Sequence, residues 1–336
     1  MELFPSKRCE KHNFLPVLVW YGTTFSCLTI LNKQKGGKYM ILAFLISYFL
    51  ISKEIQIVTS TCSLGDIAKN VGGEKVKVIN LSDGRFDLHF VEPRPSMLMH
   101  IRRADAVIPV GLGFDSWFIS LINSAGNRKV IEGQKGHIVA YEGIKLLEVP
   151  EFKIGEARIG DIHPEGNPHY WLSPENAIKI AHNIAKRLKE ISPENGDYFF
   201  ENARKFEERI NELANNIKKD FSKYKGIEAI GYHKSWQYLA EFLGMKMVEH
   251  IEPYPGIPPT SAHLTKLISV IKERNIKLLL YEPFRPKREI KMLEEKTGIK
   301  GVEIYEDCVP EIQELKDYQS LIKYNVSKII YALEGK

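Results

Sequence analysis

From Glu54 onward, short β-branched runs alternate with longer stretches whose apolar positions recur every three or four residues, the pattern of parallel sheets covered by helices. In the first half, Ile55–Thr59, Lys75–Leu81 and Ala106–Val110 read as strands, and Leu64–Val71, Pro95–Ala104 and Ser116–Ser124 as helices. The second half repeats the style, with strands over Glu228–Gly231, Lys246–Ile251, Lys277–Tyr281 and Val302–Tyr305 and helices over Trp236–Leu243, Ser261–Arg274, Pro286–Lys296 and Tyr318–Leu333. Between the halves, Ser173-Pro174-Glu175-Asn176 and Ser192-Pro193-Glu194-Asn195 each set a serine before a proline, a helix-start signal. Past the second start, Phe199, Phe206, Ile210, Leu213 and Ile217 keep helical spacing to about Lys223, a rod of roughly 40 Å that would brace both halves, unless it folds as a helical hairpin arm. The expected architecture is α/β, two open lobes joined by a long rigid helix: an N-terminal lobe over 53–190, a linking helix over 191–224 and a C-terminal lobe over 225–336. Ile131–Gly166, rich in glycine and charge, reads as a long surface loop with room for a short hairpin.

Residues 1–52 read differently. Met40–Ser52 is a continuous apolar run behind Lys33, Lys35 and Lys38, about the length of a signal-peptide core and short for a bilayer span. The segment is expected to be a leader or membrane anchor, with a buried core helix as the alternative. Cys27 lacks the surroundings of a lipidated cysteine, and Met40 is a second candidate start. Of the formal charge of +5, +4 sits here, leaving 41 basic and 40 acidic side chains beyond it. That balance, without a basic stripe among aromatics, argues against a nucleic-acid surface. Export would permit a Cys62–Cys308 disulfide without establishing one, and no C-x-x-C pair exists to build a thiolate zinc site.

Three of the ten histidines share a setting. His89 lies in Asp87-Leu88-His89 beyond the second strand, His169 in Asn167-Pro168-His169 before a helix, and His233 in Tyr232-His233-Lys234 at a strand-to-helix junction. Such turns lie where α/β sheets bind ligands, outside the carboxyl ends of the strands. Neutral imidazole suits zinc and other late divalent ions, and three of them closed by one carboxylate describe storage or transport rather than catalysis. Asp307 is the candidate carboxylate, with Glu306, Glu282 and Glu92 as competitors. A lone histidine in a turn is more often a cap than a ligand, so only convergence would distinguish these three.

The segments DLHFVEPRPS, GLGFDSWFISLI, GNPHYWLSPENA, GYHKSWQYLAEFLG followed by PGIPPTSAHL, and LYEPFRPKREIKMLEEKTG resemble, in order and spacing, the motifs of the zinc/manganese substrate-binding proteins of ABC importers, over about Ile55 to Leu333. The resemblance implies two lobes, a metal between them, ligands at His89, His169 and His233, and Asp307 as the nearest match to the fourth. It also implies an extracytoplasmic protein, expected to be monomeric, that hands a divalent ion to a membrane permease. Retention of His233, where manganese members tend to place a carboxylate, favours Zn2+ over Mn2+. The His-rich loop of many zinc members is reduced to His137 and His163, the latter a candidate entry ligand. A zinc hydrolase using Glu92 as base, and a two-lobed receptor for haem, a siderophore or a cobalamin, are the competing readings. His100, His182, His250 and His263 read as surface, capping or packing residues, and Trp117 and Trp236 as core.

Overall fold

The structure is a computed structural model that describes residues 54–149, 163, 165–253 and 256–335, together with the backbone of three earlier strands. The chain divides into two units, Met1–Lys53 and Glu54–Lys336. The first holds β1 (Phe14–Tyr21), β2 (Thr24–Lys33) and β3 (Tyr39–Leu42), paired antiparallel in that order. No strand was expected here. Val17, Val19, Thr29 and Ile30 are nonetheless strand formers, a preference masked by the overall apolar character of the segment. Of the run Met40–Ser52, everything from Ala43 onward lies outside the described residues.

The second unit opens with a three-stranded parallel sheet, β4 (Ile55–Thr59), β5 (Val76–Asn80) and β6 (Ala106–Ile108), in the order β5-β4-β6. Helices α1 (Cys62–Gly72), α2 (Pro95–Arg103) and α3 (Ser116–Ser124) accompany it. Two long helices follow, α4 (Pro174–Ile191) and α5 (Gly196–Phe221). A second parallel sheet, β7 (Glu228–Gly231), β8 (Lys246–His250), β9 (Leu278–Tyr281) and β10 (Lys300–Glu303), has the order β10-β9-β7-β8. It carries α6 (Gln237–Leu243), α7 (Ser261–Arg274), α8 (Lys287–Thr297) and α9 (Tyr318–Leu333). The architecture is α/β with two parallel sheets and a long helix, as expected.

The 26 residues of α5 extend about 39 Å. Phe199, Phe206, Ile210 and Ile217 form its buried stripe, which joins Ile180 and Ile184 of α4, Ile57 and Val76 of the first sheet, and Ala229 and Leu278 of the second in one continuous core. Neither serine of the two start signals caps a helix through its side chain: Pro174 begins α4 directly, whereas Pro193–Asn195 forms a 3-10 turn before α5. β10 begins two residues earlier than its sequence suggests. Gly301 fits there because a Cβ would lie 2.9 Å from Glu294 Oε1, the atom that accepts its amide hydrogen. The stretch read as a surface loop is partly core: Ile138, Ala140 and Ile144 are buried, and His137 bridges Val107 beside β6. Residues 150–162 and 164 of that stretch lie outside the described residues.

A covalent and polar seam ties the two sheets at one edge. Cys62, the first residue of α1, is disulfide-bonded to Cys308 beyond β10. Next to it, both Asp307 oxygens accept amide hydrogens at 2.7 Å, from Cys62 and Ser63, so a carboxylate from the second half closes the positive end of α1. Gly84 donates its amide to the Cys308 carbonyl and approaches so closely that a Cβ would stand 2.2 Å from the Asp307 carbonyl oxygen.

Candidate metal centre

The carboxyl ends of all four strands of the second sheet point at one place. His233 follows β7, Glu252 follows β8, Glu282 and Arg285 follow β9, and Glu306 follows β10. The first half supplies His89 from a 3-10 turn beyond β5, and His169 from the turn that leads into the 3-10 turn Tyr170–Leu172 and then α4. His89, His169 and His233 are all buried, and each offers a ring nitrogen within 4.8 Å of the other two. The ring centroids lie 5.2–5.6 Å apart.

Each ring is aimed by a partner on its far nitrogen. His89 Nδ1 donates to Asp87 Oδ1 (2.9 Å), His169 Nδ1 to Asn167 Oδ1 (3.1 Å) and His233 Nδ1 to Glu252 Oε2 (3.0 Å). The Asn167 amide oxygen only accepts, as do the Asp87 and Glu252 carboxylates when ionised, and Nδ1 then carries the hydrogen while Nε2 keeps the lone pair that a metal needs. Asp87 and Asn167 also accept the backbone amides of His89 and His169, both at 3.0 Å, so one Asx turn fixes main chain and ring together. The Asn167 amide is oriented in turn, its Nδ2 donating to Glu148 Oε2 and the Lys234 carbonyl. Sequence reasoning passed over these partners, although the shared Asx-x-His spacing at 87–89 and 167–169 was a legible signal.

Burial, reinforced by repulsion that protonation would meet from the neighbouring His89 and His163 and from Arg285, holds His169 well below its ordinary pKa. Burial with His89 and Arg285 does the same for His233. Both rings are therefore neutral donors at physiological pH. His89 Nε2, His169 Nε2 and Glu306 Oε2 are buried and, among the described residues, lack hydrogen-bond partners. Three such atoms buried together would be costly unless something binds there.

The carboxylate beside the rings is Glu306, not Asp307. Glu306 Oε2 lies 3.9 Å from His169 Nε2, whereas both oxygens of Asp307 are taken by the α1 amides. Burial, then the charges of Glu282 and Asp87, raises Glu306 well above the usual carboxylate range. Ser235 Oγ lies 2.7 Å from Glu306 Oε1 and 2.6 Å from Glu282 Oε1. One hydroxyl has one hydrogen, so one of these two contacts carries a carboxyl proton. Glu282 is turned away toward Arg285, and Glu92 is exposed. The Trp171 indole N–H fixes the Glu306 carbonyl at 2.7 Å, and Phe114 packs against His89, His169 and Trp171.

Tetrahedral zinc with Zn–N bonds of about 2.0–2.1 Å holds its nitrogens about 3.4 Å apart. Donors within 4.8 Å of one another therefore need to close by at most about 1.4 Å, a matter of small ring tilts. His163 lies near the group, its ring 5.6 Å from that of His89, with Nδ1 donating to the Leu112 carbonyl. The other described histidines lie elsewhere. His182 pairs with Glu207, His263 contacts the His250 carbonyl, His250 meets Gln237, His137 donates to the Val130 carbonyl, and His100 is exposed. Trp117 and Trp236 are core residues.

Known proteins resemble this chain over most of its length. The family model for ZnuA, the zinc-uptake complex component A, periplasmic, matches residues 57–332. The manganese ABC transporter substrate-binding lipoprotein PsaA of Streptococcus pneumoniae is 24% identical over 290 residues, 84% of this chain and 90% of the relative. The metal ABC transporter substrate-binding lipoprotein ScbA of Streptococcus cristatus is 25% identical with the same coverage. Among solved structures, FpvC of Pseudomonas aeruginosa in complex with Mn2+ superposes with a TM-score of 0.71 at 22% identity, covering 84% of this chain and 99% of that one. A zinc-bound ZnuA deletion mutant gives 0.69 at 25% identity, covering 83% and 98%. With its matched region spanning both sheets and all three histidines, the chain belongs to the ZnuA family, the substrate-binding proteins of metal ABC transporters, and is a solute-binding protein rather than an enzyme.

Proposed function

We propose that the protein captures one Zn2+ ion outside the cytoplasm through His89, His169, His233 and Glu306 and delivers it to an ABC permease. The observation that carries this reading is the convergence of three buried histidines whose Nδ1 atoms are all engaged, leaving Nε2 toward one point. Three nitrogens and one oxygen form a donor set that favours zinc, since manganese prefers sites richer in oxygen. The names of relatives divide between manganese and zinc, so the choice of metal rests on the donors of this chain. Four protein donors with no open position suit carriage rather than hydrolysis. Export or membrane anchoring runs through the N-terminal apolar segment, the receptor acts as a monomer, and nucleic acid plays no part.

Calorimetric titration of chelator-treated protein tests this. One zinc per chain is expected, bound more tightly than manganese, with melting raised by mass action, about 2.7 kcal/mol at a hundredfold excess over Kd. Tighter binding of manganese would overturn the choice of metal. Absence of uptake, or equal zinc affinity in His169→Ala and wild type, would overturn the site.

A further inference from the structure

We infer that Arg285 is the positioning residue that sets how long the ion stays, by holding from behind the two carboxylates that aim His89 and His233. The inference rests on the metal reading above and adds to it a control point that does not touch the ion. Asp87 gives Oδ1 to His89 and turns Oδ2 toward Arg285 Nη1 at 3.4 Å. Glu252 gives Oε2 to His233 and accepts from the same Nη1 through Oε1 at 3.3 Å. Arg285 Nε donates to Glu282 Oε2 at 2.9 Å, and Glu282 reaches Glu306 through Ser235. One guanidinium thus stands behind three of the four proposed donors.

The surroundings hold it in place. Arg285 is buried, with the rings of Tyr232 and Phe284 5.5 and 5.1 Å from its guanidinium carbon. Arginine fits because its planar fork engages several carboxylates at fixed angles, which the point charge of lysine does not. The contacts also span the fold: Asp87 follows β5 of the first sheet, whereas Glu252, Glu282 and Arg285 follow strands of the second. Any motion that draws the halves apart stretches the Arg285–Asp87 contact, the longest of the set, and loosens the far-side support of His89. Removing such outer partners typically weakens metal retention about 10–100-fold.

The test uses the full chain, wild type against Arg285→Gln and Arg285→Lys, with zinc dissociation timed by mixing with excess chelator and the visible spectrum of the Co2+-loaded protein as reporter of ligand orientation. Arg285→Gln is expected to release zinc about 10–100-fold faster at unchanged one-to-one stoichiometry, with an altered Co2+ spectrum, and Arg285→Lys to fall between the two. Asp87→Asn, which keeps shape and cuts one arm of the network, is the second variant should Arg285→Gln fold poorly; it is expected to release faster by a smaller factor. Dissociation rates and Co2+ spectra equal to wild type in Arg285→Gln or, where that variant does not fold, in Asp87→Asn would overturn the role of Arg285 while leaving the site intact. A wild-type chain that takes up neither zinc nor cobalt would instead overturn the metal reading itself.

Discussion

Glu306 and Asp307 are neighbours with opposite fates, and a pair of isosteric changes separates them. Burial raises Glu306 well above the usual carboxylate range, and Glu306→Gln keeps its shape without a charge. The proposed donor set, however, loses its one anionic member. Metal-free melting should therefore barely move while zinc affinity falls more than about 100-fold, beyond the loss usual for outer partners. Asp307→Asn should do the reverse, costing about 1–3 kcal/mol in metal-free protein by chemical denaturation because one α1 amide is left facing an N–H, with a far smaller change in zinc affinity. Both lie in a bend past the end of β10, so which acid faces the rings depends on local backbone geometry that spacing along the sequence does not reveal. The three histidines were legible because each sits in a turn at a sheet edge; Arg285 was not, because the two partners that tie it to the histidines, Glu252 and Asp87, lie 33 or more residues away along the chain. Asp66 gives a pH signature of its own. Burial, opposed by the Tyr318 amide and aided by Asp317, raises it from 3.8 to about 6. The folded state then binds more protons than the unfolded between those values, so this contribution is full below about pH 4 and is lost as pH rises through 6. Because the residue keeps some solvent contact, the loss is on the order of 1–2 kcal/mol. Asp66→Asn, which retains the acceptor for Tyr318, should be the more stable protein at pH 7 and show no advantage at pH 4; an advantage equal at both values would contradict this.

At the level of elements, α5 carries the greatest packing responsibility. Phe206 is fully buried in the core shared by both sheets. Phe206→Ala should cost about 3–5 kcal/mol by chemical denaturation, whereas trimming the exposed Tyr331 of α9 should cost less than about 0.5 kcal/mol. Periodicity made α5 legible, and the strands Ile55–Thr59 and Glu228–Gly231 and the helices Ser116–Ser124, Ser261–Arg274 and Tyr318–Leu333 were read to the residue. What escaped depended on partners distant in the chain: the extension of β10 to Lys300 follows its pairing with Leu278, and the burial of Ile138 follows the bridge at Val107. Neither leaves a local pattern to read.

Across the unit Glu54–Lys336, the two parallel sheets share one core and are stitched at the Cys62–Cys308 edge. The stitch links residues 246 positions apart. Removing it by Cys62→Ser with Cys308→Ser should lower stability by roughly 2–5 kcal/mol, read as a drop in the denaturant midpoint. Zinc affinity serves as the control on native geometry, since neither sulfur belongs to the proposed donor set. The same bond has a topological outcome. A protease that nicks the backbone once, anywhere between the two cysteines, produces two pieces that still travel as a single species on a non-reducing gel and part only when a thiol is added.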